Sequence, residues 1–524
     1  MRAFHIDLNT ANPTRRYLEA WLRELAALGY DTVVWEVENA VAWEAIAGCE
    51  APAAFAKDEF AGIVAYGRSL GLEPIPLLQT LGHCEYVLTA DRFAHLREQP
   101  DRIDQYCPSH PEVPALMAAL IDEYLAVFGP VRRFHLGLDE TGLLARCPRC
   151  AGRTPARIWS EHLRRIAAPL AARGIDAMAW ADMAMAHPEA LGELPPGLVL
   201  CDWYYRGRRD PDGLVPIWDH DFGGPRGVAP DALPSVFTER YREWLSPDGG
   251  APDPFYTARW LRSRGLRVVG CSATSSFPDN VFAPCTARHL ANTWDWCTVA
   301  IEQRLEGVLV TSWTVHLFPW ELQRPVIAAG GAFAAHGAGG REAFRAAYPE
   351  ERFGPGCGGF WAACEELAEP FLFSHTQGSG LYKGQLGTPA AGYVAERIER
   401  LSDVEATTEL ARAESCRAAY ARGRSAFAGL SSRAARGHDE LEWWDWAARN
   451  LEHRADAIIH LLRRRLGRET GPASALASRC AELRDESDAR LADAQKAPRR
   501  ALVLDRLYAS LAHALGSAAA AAPG

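Results

Sequence analysis

Residues 133–141 read Arg133-Phe134-His135-Leu136-Gly137-Leu138-Asp139-Glu140-Thr141. An apolar run of strand length stops abruptly at two adjacent carboxylates. In α/β proteins ligands bind beyond the carboxyl ends of strands. Two neighbouring carboxylates placed there can divide their roles, one staying ionised while the other is pushed towards its neutral, proton-donating form. A bare Asp-Glu dipeptide is equally compatible with a solvated loop after a strand. The rest of the chain decides between these readings.

Working outward, apolar runs of strand length alternate with helical-period segments up to about residue 340. The pattern predicts strands at 4–8, 32–38, 74–81, 133–139, 177–182, 198–204, 267–273 and 307–313. Helices are expected at 14–28, 58–70, 112–128, 155–173, 254–264 and 287–304. Glycine follows the expected helix ends at Gly29, Gly71, Gly174 and Gly265, the usual C-terminal punctuation. Eight strands alternating with helices over some 300 residues fit a (β/α)₈ TIM barrel with loop insertions, with a doubly wound sheet as the other reading.

The barrel requires chemistry to gather at strand C-termini. Seven of the eight expected strands end in polar or aromatic residues: Asp7 and Asn9; Glu36, Glu38 and Asn39; Gln79 to His83; Asp139 and Glu140; Trp180 and Asp182; Asp202 to Tyr205; Ser312 and Trp313. Residues 206–250 form a Pro-, Gly- and Asp-rich insertion, read either as a lid over the mouth or as a surface excursion. After residue 340 the alternation stops. Residues 399–431, 438–466 and 473–515 read as long helices of a C-terminal α-helical domain, packed on the barrel or used for homodimerisation. The division expected is therefore 1–340 and 341–524, with an irregular connection at 371–387 and a frayed tail at 517–524.

Composition bounds the function. The 524 residues carry a net charge of −10, a mild acidic excess that argues against nucleic-acid or anionic-membrane partners. The chain enters a strand at once, without an apolar signal segment or an apolar run of membrane length. The 13 cysteines are scattered along a long chain, as expected of reduced thiols in a cytoplasmic protein. No phosphate-binding Gly-rich loop and no Gly-x-Ser-x-Gly elbow is present. The 17 tryptophans are unusually many, and indole faces stack well on sugar rings.

A sugar bearing a 2-acetamido group suits the Asp-Glu pair. Glu140 would protonate the departing glycosidic oxygen. Asp139, one methylene shorter, would accept the acetamido N–H and aim its carbonyl oxygen at the anomeric carbon. The substrate then supplies its own nucleophile, the exception to the two-carboxylate scheme. Trp180, Trp203 and Trp313 would wall the pocket, and Tyr204 or Tyr205 would hydrogen-bond the acetamido oxygen. His83 would support Glu140 or bind a sugar hydroxyl.

These residues resemble glycoside hydrolase family 20 β-N-acetylhexosaminidases, specifically the hexosaminidase D branch. The resemblance lies in His5-Ile6-Asp7-Leu8, Glu36-Val37-Glu38-Asn39, residues 79–88 beginning Gln79-Thr80-Leu81-Gly82-His83, Phe93-Ala94-His95-Leu96-Arg97-Glu98 and His135-Leu136-Gly137-Leu138-Asp139-Glu140. It covers residues 3–340. It implies a barrel, retaining exo-cleavage of terminal β-linked N-acetylhexosamine through an oxazolinium intermediate, and no cofactor. It assigns the acetamido-polarising role to Asp139, the acid/base role to Glu140, and pocket roles to His83, Trp180, Trp203 and Trp313. Where larger secreted relatives carry an Arg after strand 1, this chain offers Asp7, Asn9 and Asn12. Asp7 and Glu38 are further candidates for sugar contacts, with Glu321 the nearest candidate for the hydroxyl-binding carboxylate after the last strand. Two rival readings are a barrel glycosidase with Glu36 or Glu38 as nucleophile, and a non-catalytic carbohydrate-binding protein.

Cys147-Pro148-Arg149-Cys150 has zinc-knuckle spacing, and Cys107 and His110 would complete a four-ligand set. The alternative is a pair of reduced loop thiols.

Overall fold

Runs such as Thr32-Val33-Val34-Trp35-Glu36, buried at every position, are the signature of strands covered on both faces. The computed structural model describes residues 1–208, 213–219, 224–246, 249–314, 319–375 and 391–520. Its strands are β1 (Arg2–Asp7), β2 (Thr32–Glu36), β3 (Glu73–Leu77), β4 (Arg133–His135), β5 (Asp176–Trp180), β6 (Val199–Trp203), β7 (Val215–Asp219), β8 (Gly224–Val228), β9 (Arg267–Ala273) and β10 (Gly307–Thr311). Eight of them close a barrel in the order β1-β10-β9-β6-β5-β4-β3-β2, every pairing parallel. This is a (β/α)₈ barrel, and the doubly wound alternative falls away. Helices such as Arg15–Ala27, Glu112–Phe128, Pro155–Ala171 and Thr286–Glu302 bury one face each against it.

Several strands end earlier than the apolar runs suggested. The regular part of β4 ends at His135; Leu136 N–H still donates to Met178 O and Gly137 O accepts from Trp180 N–H, and Gly137, Leu138 and Glu140 then adopt positive φ angles of 66°, 77° and 51°. The 206–250 insertion contributes the antiparallel β7–β8 hairpin and the helix Ser235–Leu245. Trp218 of the hairpin packs edge-on against Trp203 at 4.7 Å, so the insertion leans on the end of β6. Residues 209–212, 220–223 and 247–248 of it lie outside the described residues, as do 376–387 of the expected irregular connection and the last four of the tail.

Beyond residue 340 the described chain is helical. Asp403–Arg433, capped by a Ser402/Glu405 box, pairs with His438–Arg465, where Trp444 stacks on Phe427. The helical stretch expected at 473–515 consists of two helices, Ala473–Leu491 and Ala497–Ala520. The break falls where the chain turns to meet the barrel: Lys496 N–H donates to Asn12 O and Thr14 N–H to Ala494 O. A second junction is ionic. Buried Glu440 accepts from Arg352 at 2.8 Å and Tyr348 at 3.1 Å, with Arg324 at 3.4 Å, and Arg324 also grips Glu24 of the first helix. Among the described residues no helix is long and apolar enough to cross a membrane.

Candidate active site

Non-glycine residues at positive φ are costly and cluster where surrounding structure imposes them. Four sit at the C-terminal ends of three adjacent strands: Glu38 (41°) after β2, His83 (54°) after β3, and Leu138 (77°) and Glu140 (51°) after β4. Two glycines permit the turns. A Cβ on Gly82 would lie 2.5 Å from the Asp139 carbonyl oxygen, and one on Gly137 would lie 2.0 Å from Gln79 Oε1. The loops after β3 and β4 are thus in backbone contact.

That contact places His83 between the two carboxylates. His83 Nε2 is 3.1 Å from Asp139 Oδ2 and 3.3 Å from Glu140 Oε2. Asp139 is nearly buried, whereas the Glu140 side chain is one-third exposed. The Glu140 N–H donates to Asp182 Oδ2 at 2.8 Å, so the end of β5 fixes the backbone of the second carboxylate. Burial, reinforced by the Asp139 charge, raises the Asp182 carboxyl well above the usual carboxylate range. Next to the segment bearing the pair, Gln79 joins a buried polar group in which Glu36 meets His5 Nε2 and Gln79 Nε2, each at 2.9 Å.

An aromatic wall faces the same end. Trp313 lies 5.8 Å from Trp180 and 4.8 Å from the His5 ring, and its Nε1 donates to Tyr205 Oη at 3.0 Å. Tyr205 stacks on Trp203 at 5.3 Å. Burial, with a smaller contribution from the Asp139 charge, keeps the Tyr205 phenol protonated well above its ordinary range. Tyr204 turns the other way, its hydroxyl donating to Leu214 O and its ring meeting Phe255. Adjacent residues of an extended chain face opposite sides, so only one of the two tyrosines joins the wall.

The rim is held tightly. Asp7 accepts from Asn9 N–H and from both the N–H and hydroxyl of Thr314, clamping the ends of β1 and β10 together. Glu38 accepts from Asn9 Nδ2 at 2.5 Å. Arg499, on the last helix, donates to Thr10 O at 3.1 Å and to Asn9 O. Burial lowers its pKa from the usual guanidinium value, while the Glu38 and Asp7 charges oppose the shift. Sequence reading missed Arg499 because almost five hundred residues separate it from the strand end it braces. Asp182 and Gln79 stood in the expected strand-end stretches and were not singled out as site residues.

Two expectations need correction. Glu321 opens the helix Trp320–His336 and is engaged from outside the barrel by Tyr17 Oη at 2.7 Å, so it does not join the group around Asp139. His110 stands apart from the three cysteines: its ring packs 5.3 Å from His95, and the fourth member of the cysteine cluster is Glu98.

Hexosaminidase D from Homo sapiens is 30% identical over 328 residues, 60% of this chain and 60% of that protein. Hexosaminidase D from Bos taurus is 27% identical over 332 residues, 60% of this chain and 84% of that protein. The chain thus spans about 60% of the length of the human relative it matches. Among solved structures, a Streptomyces plicatus β-hexosaminidase mutant in complex with GlcNAc product superimposes with a TM-score of 0.47 at 13% identity, covering 67% of each chain. A Flavobacterium johnsoniae chitobiase gives 0.47 at 14%, covering 98% of this chain and 78% of that one. No protein-family model matches the chain. In sequence this chain is similar to hexosaminidase D.

Proposed function

We propose that this protein is a retaining exo-β-N-acetylhexosaminidase that works by substrate assistance, with residues 1–340 as the catalytic unit and 341–524 as a helical unit bracing its mouth. The observation that carries the reading is the Asp139–His83–Glu140 group at the same end of the barrel as the Trp180–Trp313–Tyr205 cluster. The similarity to hexosaminidase D supports the same activity.

The chemistry follows from the burial and contacts of each group. The terminal sugar binds with its acetamido group against the aromatic wall, and Asp139 accepts the amide N–H. Since Trp313 already donates to Tyr205 Oη, the tyrosine hydrogen is available to donate to the acetamido oxygen. Glu140, the more exposed carboxyl, transfers its proton to the glycosidic oxygen as the aglycone leaves. The acetamido oxygen bonds to the anomeric carbon, giving an oxazolinium ion whose N–H charge Asp139 offsets. Glu140, now a carboxylate, takes a proton from water as that water attacks the anomeric carbon, and the configuration is retained. His83 steers both carboxylates and screens their repulsion.

The carboxylate-nucleophile reading is weaker because its candidates are committed elsewhere. Glu36 is locked by His5 and Gln79, and Glu38 is engaged by Asn9.

Release of p-nitrophenol from the β-N-acetylglucosaminide and the β-N-acetylgalactosaminide tests the proposal, with inhibition by an oxazoline-mimicking thiazoline as the mechanistic probe. Glu140→Gln should lose about 10²–10⁴-fold in turnover of substrates with poor leaving groups and less on the activated p-nitrophenyl glycosides, and Asp139→Asn about 10²–10³-fold on both. A folded wild type that turns over neither sugar would replace catalysis with carbohydrate binding. Turnover without thiazoline inhibition would point to a protein nucleophile.

A further inference from the structure

The loops that carry His83 and the Asp139–Glu140 pair are joined a second time, away from the reacting groups, by Glu98, Cys107, Cys147 and Cys150. All four side chains are buried, and their ligand atoms lie within 4.8 Å of one another. Cys107 Sγ is 3.3 Å from Cys147 Sγ and 3.8 Å from Cys150 Sγ, and Cys150 Sγ is 3.7 Å from Glu98 Oε2. Zinc bonds thiolate sulfur at about 2.3 Å and carboxylate oxygen at about 2.0–2.2 Å. A tetrahedron with those bond lengths separates sulfurs by about 3.8 Å and sulfur from oxygen by about 3.5 Å. Two of the three separations already match, and the third needs one thiol to move by about half an ångström.

The chemistry of the set points the same way. A buried carboxylate is paired or binds metal, and three thiols cannot all be consumed by one disulfide. Glu98 Oε2 is directed at Cys150, because Oε1 accepts the N–H groups of Arg146 and Cys147 at 2.9 and 3.0 Å. Such orientation of a ligand by backbone donors is typical of metal sites. Ser109 Oγ, held by Arg153, lies 3.2 Å from Cys150 Sγ and supplies an outer hydrogen bond to a thiolate.

We propose that Glu98, Cys107, Cys147 and Cys150 form a structural zinc site that fixes the two catalytic loops to each other. The 96–107 segment that bears Glu98 and Cys107 is bonded to the loop of His83: Cys84 N–H donates to Asp104 O, and Tyr106 N–H to Leu81 O. Cys147 and Cys150 lie on the segment leaving Glu140, where Leu143 N–H donates to Gln105 Oε1. An ion bridging the segments sets the spacing of His83 from both carboxylates. Four protein ligands close the site, so the ion takes no part in the reaction.

The full-length chain, purified without chelators from zinc-supplemented medium, should hold about one zinc ion per chain by elemental analysis. A mercurial that blocks thiols should release it to a colorimetric chelator. Cobalt(II) loaded in its place should show thiolate-to-cobalt charge-transfer absorption. Cys147→Ser/Cys150→Ser should lose the metal and unfold at lower temperature, whereas His110→Ala should keep it. If the double variant fails to fold, the wild-type stoichiometry and the cobalt spectrum still decide. Protein with no metal above background, or an intact mass lowered by two hydrogens from a Cys107–Cys147 disulfide, would overturn the proposal. So would full zinc retention in the folded double variant. None of these readouts depends on the proposed glycosidase activity.

Discussion

Gly137→Ala should break the strand end on which the Asp139–Glu140 pair is mounted. Gly137 has φ 66°, and a Cβ there would stand 2.0 Å from Gln79 Oε1, 2.8 Å from its Cδ and 3.1 Å from its Cα. Holding alanine in a left-handed conformation costs about 1–2 kcal/mol. Forcing a methyl into a filled interior costs about 1–3 kcal/mol. The overlap is with a buried side chain that cannot swing away freely, since Gln79 Nε2 donates to Glu36 Oε1. Breaking that charge-assisted bond costs about 1.5–3 kcal/mol. The clash is relieved by one of the last two routes, on top of the left-handed backbone cost, so the loss should be about 2–5 kcal/mol. Urea unfolding followed by tryptophan fluorescence measures it, with Gln79→Ala and the double variant completing a cycle. Gln79→Ala removes the atoms that clash, so the double variant should be more stable than the two single losses predict by about 1–3 kcal/mol. A folded Gly137→Ala should also lose activity about 100-fold, because a displacement of an ångström at the reacting groups costs that much. A variant within about 0.5 kcal/mol of wild type, or strict additivity in the cycle, would refute the reasoning.

Other outcomes follow from the same geometry. Burial raises the Asp202 carboxyl to about 7, and its Oδ2 accepts from Thr257 at 2.6 Å. The folded protein holds this proton more tightly than the unfolded chain, whose Asp titrates near about 3.9, so Asp202 lowers stability as pH rises from there to about 7 and costs nothing further above. Asp202→Asn keeps an acceptor for Thr257 and should therefore gain stability over wild type at pH 8, by a few kcal/mol at most, and gain little at pH 4; equal gains at both values would count against the shift. Arg499→Met should lower kcat/KM about 10-fold or more, with little change in overall fold, because the loop after β1, whose Asn9 bonds Asp7 and Glu38, loses its brace; an unaltered rate would show that the last helix is irrelevant to the mouth. His83→Gln should lower kcat more than it raises KM if the imidazole steers both carboxylates, and pre-steady-state kinetics would expose an effect confined to binding.

The barrel was legible because its strands are short and buried on both faces, so eight apolar runs stand out with helices and glycines between them. The carboxylate pair was legible because both members are adjacent in sequence and end one of those runs. Strand lengths were less so: nothing local announces that Leu138 and Glu140 take left-handed backbones, since the segment is pressed at Gly137 and Asp139 by Gln79 and Gly82 of the loop after β3.

The chain's alternation of apolar runs determined the architecture, and the polar residues at run ends marked the end of the barrel where the candidate site gathers. Local periodicity is enough for both, because burial acts on each segment separately. Only the tertiary structure decided which partners meet. It turned Tyr205 rather than Tyr204 to the aromatic wall, sent Glu321 to Tyr17, put Glu98 where His110 was expected, and brought Arg499 to the loop after β1. Such choices depend on ångström-scale approach between segments distant along the chain, and composition and spacing carry no record of those distances.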